Sequence, residues 1–350
     1  MKNKSLKTGD WPHDGIESVT SCPVCGSEEY NLLYRNLIDN VFFTAPGKWS
    51  LYKCSSCDSG FLNPRPTQKS INLAYSSYFT HDSPEIPEHK LSINKKIRKY
   101  LANNYRSWKY GNKSKNTSML ALLIVLLTWK RRRLLDASMR HLKKPVQDQY
   151  LLDFGCGNGL FLNYAQSCGW NTVGIDFDPQ AVNIARKNGL NVKCGGTEKI
   201  PEFNIQFDVI TLSHVIEHVH DPHHLLSTCY NYLKPGGILW IETPNFNSQG
   251  HFIYGSNWRG LEPPRHLMLF TRKSLLSLLE KTGFHEIEDM PENPVVPSIF
   301  GASEAIKHNE DPITNSDKWI RANRRSWKKY EKISEKDASQ REFITLTCLK

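Results

Sequence analysis

Between Tyr150 and Leu349, short apolar runs alternate with longer segments whose apolar positions recur at helical spacing. The runs at 150–153, 171–175, 191–194, 207–212 and 238–243 predict strands. The segments at 160–167, 179–188, 223–233 and 273–282 predict helices. Strand and helix in alternation imply a parallel sheet with crossover helices. Two further runs, His285 to Met290 and Phe343 to Leu349, predict a terminal pair that closes the sheet. Between them, 291–341 reads as an insertion, Pro-rich first and then basic and helical, with Trp319 and Trp327.

The first 145 residues have a different rhythm. Tyr30 to Tyr34 and Ser50 to Lys53 predict short strands, and Gly60 to Pro66 an extended segment. Ile71 to Phe79 predicts a helix, His81 to His89 a Pro-rich surface loop, and 91–110 a basic, aromatic helix. Met119 to Trp129 is the most apolar stretch, and Lys130-Arg131-Arg132-Arg133 follows at once. As a helix it reaches roughly 16 Å, about half a bilayer core, so it cannot span one. It can pack on the rest of the chain or across a dimer. It can equally lie shallowly in a membrane face, with the arginines on lipid phosphates.

Composition narrows the class. A chain of 350 residues accommodates a large core plus a small module. No apolar run follows Met1-Lys2-Asn3-Lys4-Ser5, so we expect a cytoplasmic protein without a signal peptide, or one peripheral on the inner face of a membrane. Nine cysteines, four of them in Cys-x-x-Cys pairs, suit a reducing compartment and metal binding. The formal charge of +10 favours anionic partners without choosing among them.

Three patterns carry chemistry. Asp153-Phe154-Gly155-Cys156-Gly157-Asn158-Gly159 places a glycine turn between a strand and a helix. Such a turn leaves backbone N–H groups facing a ligand. Its Gly-x-Gly-x-Gly spacing differs from that of dinucleotide enzymes. The carboxylate of Asp153 suits a ligand with a positive end. Asp176 ends the next strand, where a carboxylate takes a ribose diol. Cys22-Pro23-Val24-Cys25 and Cys54-Ser55-Ser56-Cys57 are two knuckles able to complete a tetrahedral Zn²⁺ site. Four thiolates leave no open position, so the metal is read as structural. Histidines cluster at His214, His218, His220 and His266, and an imidazole ordinarily titrates near neutral pH.

These motifs resemble those of the class I S-adenosylmethionine-dependent methyltransferases, the broad family that includes ubiquinone-type O-methyltransferases and enzymes of surface polysaccharides. Residues 153–159 match its first motif, and Gly174 to Pro179 the segment whose acid holds the ribose. Gly196-Thr197-Glu198 with Ile200-Pro201 matches the adenine segment, and Phe207 to Ile210 the fourth strand. Ser213-His214-Val215-Ile216-Glu217-His218-Val219 resembles the Leu-Glu-His-Val element, and Leu233-Lys234-Pro235-Gly236-Gly237 the turn before the fifth strand. The resemblance implies an α/β, Rossmann-like sheet with helices on both faces. Its cofactor contacts would be Asp153, Gly155, Cys156, Gly157, Asn158, Gly159, Asp176, Phe177, Thr197, Glu198, Ser213 and His214.

Cys22 to Cys57 resembles the zinc-binding N-terminus of deoxysugar C-methyltransferases. The expected organisation is a zinc-binding module over 1–66 and a helical linker or lid over 67–145, with its apolar segment at 119–129. A methyltransferase domain follows over 146–350. In the deoxysugar enzymes a Glu-His-rich loop follows strand five; Gly260 to Phe270 is its counterpart here. His266 falls on their catalytic histidine, whereas Arg265 replaces the neighbouring glutamate.

Methyl transfer is an in-line displacement governed by positioning. A sugar hydroxyl also needs a base, and His266 and then His214 are the candidates. His218 and His220 read as helix-start capping or packing residues. Arg259, Glu262 and Arg265 are candidates for holding acceptor hydroxyls or a phosphate. The expected function is methyl transfer to a hydroxyl or carbon of a sugar, glycolipid or lipid-linked polysaccharide precursor, with a homodimer as a candidate assembly. An RNA methyltransferase is the second reading and a non-catalytic cofactor-binding scaffold the third. Against RNA, the fourth strand lacks an Asn/Asp-Pro-Pro-Tyr element, and no catalytic-cysteine motif follows it.

Overall fold

The computed structural model describes residues 9–75, 92–111 and 118–350. The loop expected over His81 to His89, and the end of the helix expected over Ile71 to Phe79, lie outside them. Ile71–Tyr75 forms a short 3-10 helix. The contacts divide the chain into two compact units, each drawing on separated stretches of sequence. Unit one takes the described residues up to Tyr75, His214–Ser227 and Ile241–Leu346; unit two takes Ser92 to Ser213, Thr228–Trp240 and Thr347–Lys350.

The strands at the N-terminus are β1 (Ile16–Glu17), β2 (Tyr30–Leu37), β3 (Trp49–Cys54), β4 (Gly60–Leu62) and β5 (Arg65–Pro66). Next come α1 (Ile93–Tyr110), α2 (Met119–Leu127) and α3 (Trp129–Ser138). The alternating region follows: β6 (Tyr150–Phe154), α4 (Leu160–Ser167), β7 (Asn171–Asp176), α5 (Pro179–Lys187), β8 (Val192–Cys194) and β9 (Phe207–Ser213). It continues with α6 (Pro222–Tyr232), β10 (Leu233–Pro244), α7 (Gln249–Tyr254), β11 (Met268–Leu269), α8 (Arg272–Thr282) and β12 (His285–Asp289). Helices α9 (Val296–Lys307) and α10 (Pro312–Lys336) occupy 291–341, and β13 (Phe343–Leu349) ends the fold.

The strand order of the large sheet is β12-β13-β10-β9-β6-β7-β8. Strand β6 pairs in parallel with both β7 and β9, and β7 with β8, as the apolar runs predict. Local chemistry sets the helix ends. Asp178 caps α5 by accepting from the Gln180 N–H, with Pro179 in the first turn. Thr271 and Ser274 form a capping box on α8, and Gly283 ends it in a left-handed conformation.

Two elements depart from expectation. The turn expected at Leu233 to Gly237 lies inside β10, because Gly236 N–H donates to Lys350 O and Lys350 N–H to Gly237 O. The helix expected over 119–129 ends at Leu127: Thr128 leaves helical geometry and its Oγ1 donates to Ile124 O.

In unit two, α1 to α5 close a core on the sheet around Tyr105, Val125, Leu135, Phe161, Leu162 and Trp170. In unit one, β11 adds to β2, β3 and β4 as a four-stranded sheet, with Met268 opposite Phe61. That pairing ties the loop after β10 to the cysteine-bearing strands. No helix among the described residues is long and apolar enough to cross a membrane.

Candidate functional site

In unit two, β6 ends at Phe154 and the glycine turn begins. Gly155, Gly157 and Gly159 all have left-handed φ, at 77°, 53° and 81°. Gly159 has a second reason to be glycine: a Cβ there would lie 2.2 Å from Leu190 Cδ1. Asp176 is fixed at the lip of the turn. Its Oδ2 accepts from Gly157 N–H at 2.7 Å and its Oδ1 from Asp178 N–H at 2.9 Å. Burial raises its carboxyl above the usual range, and those two N–H groups oppose the rise. Two carboxylate oxygens retain lone pairs for further donors.

Around the turn, Cys156 is buried, and Asn158 and Ser213 are half-buried. Phe177 is 59% exposed, its ring set edge-on to Phe154. Thr197 opens a 3-10 turn, and Glu198 Oε1 accepts from Gly196 N–H at 2.9 Å. The lip thus carries an acid and an exposed aromatic face, features that suit a nucleoside.

Asp153 meets a positive group from its own chain. Its carboxylate is fully buried, ion-paired with Arg140, and accepts from Thr211 Oγ1 at 3.0 Å. Burial raises this carboxyl, and the Arg140 charge offsets part of the rise. Arg140 holds a left-handed φ of 51° and lays its guanidinium 3.8 Å from the centre of the Phe161 ring. Nothing in the sequence around Arg140 marks it, because its role depends on a turn between α3 and β6.

In unit one, His214 lies between two carboxylates. Nδ1 is 3.3 Å from Glu217 Oε1, and Nε2 is 3.4 Å from Glu242 Oε1. Burial works against a charged ring, but the two acids outweigh it and raise the imidazole to about 10. Burial likewise would raise Glu217, yet the bond with His214 and the neighbouring histidines pull it down to about 2. Thr243 Oγ1 donates to Glu217 at 2.9 Å. The two carboxylates favour the charged ring of His214, in which both nitrogens donate and neither accepts a proton.

His266 is the opposite case. It is buried, and Nδ1 donates to Gly260 O at 2.7 Å. Burial lowers it to about 4, below the near-neutral value expected of a free imidazole. The ring is neutral, with Nε2 3.8 Å from Glu262 Oε2. His218 Nδ1 donates to Arg265 O at 3.0 Å, and His220 Nε2 lies 2.9 Å from Pro66 O. Neither ring caps a helix. Glu217, His218 and His266 offer ligand atoms all within 4.8 Å of one another, a donor set able to hold a divalent cation.

Of the three acceptor candidates, Arg265 is not available. Its guanidinium is buried, with Nη2 on Asp39 Oδ1 at 2.5 Å and Nε on Glu262 Oε1 at 3.1 Å. Glu262 is buried too. Burial would raise its carboxyl, but Arg259, His266 and Arg265 hold it well below the carboxylate range. Arg259 Nη1 lies 2.5 Å from Glu262 Oε2 and stays partly open to solvent. Its charge is the one of the three that reaches the surface.

The four cysteines of unit one meet as the spacing predicts, their Sγ atoms within 4.8 Å of one another. Cys22–Cys57 and Cys25–Cys54 are 3.7 and 3.6 Å apart. Tetrahedral zinc with Zn–S near 2.3 Å requires S···S edges of about 3.8 Å, so these residues fit the metal.

A family profile described as "Methyltransferase domain" matches residues 126–288. A curated protein of Cereibacter sphaeroides, named ubiquinone biosynthesis O-methyltransferase, is 33% identical over 165 residues, covering 43% of this chain and 67% of the relative. A protein of the same name from Coxiella burnetii is 27% identical over 176 residues, covering 41% of this chain and 75% of the relative. Among solved structures, a SAM-dependent methyltransferase from Archaeoglobus fulgidus aligns with a TM-score of 0.42 and 20% identity, over 65% of this chain and all of that one.

Proposed function

We propose, for a chain that belongs to the class I S-adenosylmethionine-dependent methyltransferases, that its acceptor is a hydroxyl group of a small molecule. The cofactor, when bound, supplies a methyl group activated on a sulfonium. This chain's residues then divide the work. The glycine turn, whose own N–H groups are spent on Ile175 O, Asp176 Oδ2 and Cys156 O, lets backbone come close to the cofactor, and Asp176 takes the ribose hydroxyls. Phe177, Thr197 and Glu198 border the adenine. On the resemblance of their loop to that of the deoxysugar enzymes, His266 is the candidate to take the hydroxyl proton and Arg259 to hold a polar group of the acceptor.

The observation that carries the hydroxyl reading is the state of His266. A methyl acceptor that loses a proton needs a base with an open lone pair, and the Nδ1–H of His266, fixed on Gly260 O, leaves Nε2 as the accepting nitrogen. The printed name of the relatives, O-methyltransferase, agrees with oxygen as the receiving atom. For the acceptor we favour a sugar or lipid-linked sugar, on the likeness of the cysteine module to that of deoxysugar enzymes. A phenolic hydroxyl is the second reading, favoured by the ubiquinone pathway in the relatives' name.

Methyl-labelled S-adenosylmethionine, offered with sugar nucleotides, hydroxylated polyprenyl phenols and RNA, separates the readings. Label in a sugar ether supports the first reading. Label only in the phenol moves the acceptor to the second. Label only in RNA overturns both. We also propose that Cys22, Cys25, Cys54 and Cys57 hold one structural Zn²⁺, which would fix the β2–β3–β4 module.

A further inference from the structure

Helix α2 has two apolar faces. Ala121, Leu122 and Val125 pack into the core of unit two. Met119, Leu120, Leu123, Ile124 and Leu127 face outward, with Met119 and Leu120 70% exposed and Leu127 83% exposed. At about 100° per residue these five fall in one arc of roughly 140°. No polar side chain interrupts that arc. Packing within unit two accounts for one face of this helix, and among the described residues the other face stays exposed. An uninterrupted apolar face of this kind marks an interaction surface.

The charge around it says what the partner is. Ser118 N–H donates to Asn104 Oδ1 at 2.6 Å, tying the start of α2 to α1. Helices α1 to α3 together hold ten Lys and Arg residues and a single acid, Asp136. That acid is buried, accepting from the Tyr105 and Tyr110 hydroxyls. Lys130 to Arg133 follow Leu127 almost directly, and Lys130 and Arg133 stack on the half-exposed Trp129 ring. A second copy of this chain would bring two cationic faces together. A nucleic acid would satisfy the cations but leave five aliphatic side chains in water. An anionic lipid surface satisfies both, taking aliphatic groups below the headgroups and cations at the phosphates.

We propose that α2 docks on an anionic phospholipid surface, with Met119, Leu120, Leu123, Ile124 and Leu127 at the acyl boundary and Lys130 to Arg133 on the headgroups. Nine residues of helix reach about 14 Å, which suits lying in the interface and not crossing it. The proposal is independent of the methyl acceptor. It is tested by flotation of the full chain with vesicles of phosphatidylcholine alone and with a quarter phosphatidylglycerol. We expect binding to the anionic vesicles, weakened by salt, and little to the neutral ones.

The double variant Leu120→Ser/Leu127→Ser changes only exposed side chains. It should cut vesicle binding at least about tenfold, with its melting temperature and S-adenosylmethionine affinity unchanged. No binding to anionic vesicles at low salt would overturn the proposal, as would binding that the leucine variant leaves intact. Sedimentation showing a dimer that the same variant dissociates would assign the face to a second copy. RNA binding that depends on those leucines would assign it to nucleic acid.

Discussion

Arg265 and Asp39, 226 positions apart in the chain, form a two-pronged ion pair in which neither side chain meets solvent. Asp39 also accepts from the N–H groups of Phe42, Thr44 and Ala45, and Arg265 donates to Ala74 O. The residue next to the candidate base is thus a clamp on the N-terminal module. Removing one partner of such a pair leaves an uncompensated buried charge, at a cost of about 3–5 kcal/mol. Denaturant unfolding of Arg265→Met should show a loss of that size. In a double-mutant cycle with Asp39→Asn, which removes the charge and keeps an oxygen for the backbone donors, the two losses should be less than additive. A single variant as stable as the parent would contradict the assignment.

The cysteine cluster makes a separate prediction. Protein purified without chelator should contain about one zinc per chain, and Cys25→Ser should lose most of it and destabilise unit one. Metal analysis checks the content. Four freely titratable thiols in a folded, metal-free chain would refute the site.

Glu342 predicts a pH dependence. Its carboxylate accepts from Gly250 N–H at 2.7 Å and Trp258 Nε1–H at 3.0 Å, and burial raises it to about 7 despite them. A carboxyl raised above its unfolded value near 4.5 contributes stability that is full below that pH. The contribution is lost as pH rises through about 7. Between pH 4.5 and 7 this group should withdraw roughly 2–4 kcal/mol. Unfolding of the parent and of Glu342→Gln across that range should differ in slope, with the variant flatter. Parallel slopes would show that Glu342 does not titrate in this way.

His266 is tested by kinetics. A positioned base contributes typically ~10²–10⁴-fold, so His266→Gln should lower kcat on the true acceptor by about that factor. Cofactor affinity should stay unchanged, because no cofactor contact is removed. A variant that keeps most of its rate would make His266 a packing residue, bonded to Gly260 O for shape alone.

Much of this was legible in the sequence for stated reasons. The strands from Tyr150 to Ser213 carry short apolar runs, and their parallel pairing follows from the connections between them. The glycine turn and Asp176 were legible because backbone geometry demands those residue types at that spacing. The four cysteines were legible because a tetrahedral site needs two close pairs. What stayed hidden depended on distant partners. Arg265 reads as an acceptor contact until Asp39 is placed against it. Arg140 lies in a basic stretch with no local signal, yet it pairs with Asp153 through a left-handed turn. The charge state of His214 requires Glu217 and Glu242 together, and Glu242 lies on a different strand. The outward face of α2 was likewise undetermined, since an all-apolar helix does not show which side packs.

Calorimetry on Asp176→Ala tests whether the glycine turn and Asp176 hold S-adenosylmethionine. The carboxylate is fixed by Gly157 and Asp178 N–H groups and would take both ribose hydroxyls. The parent chain should bind the cofactor saturably at one site. The variant, leaving those hydroxyls unpaired, should bind more weakly by roughly 1–3 kcal/mol, or about 5- to 150-fold. Unchanged affinity in a folded variant would contradict the assignment.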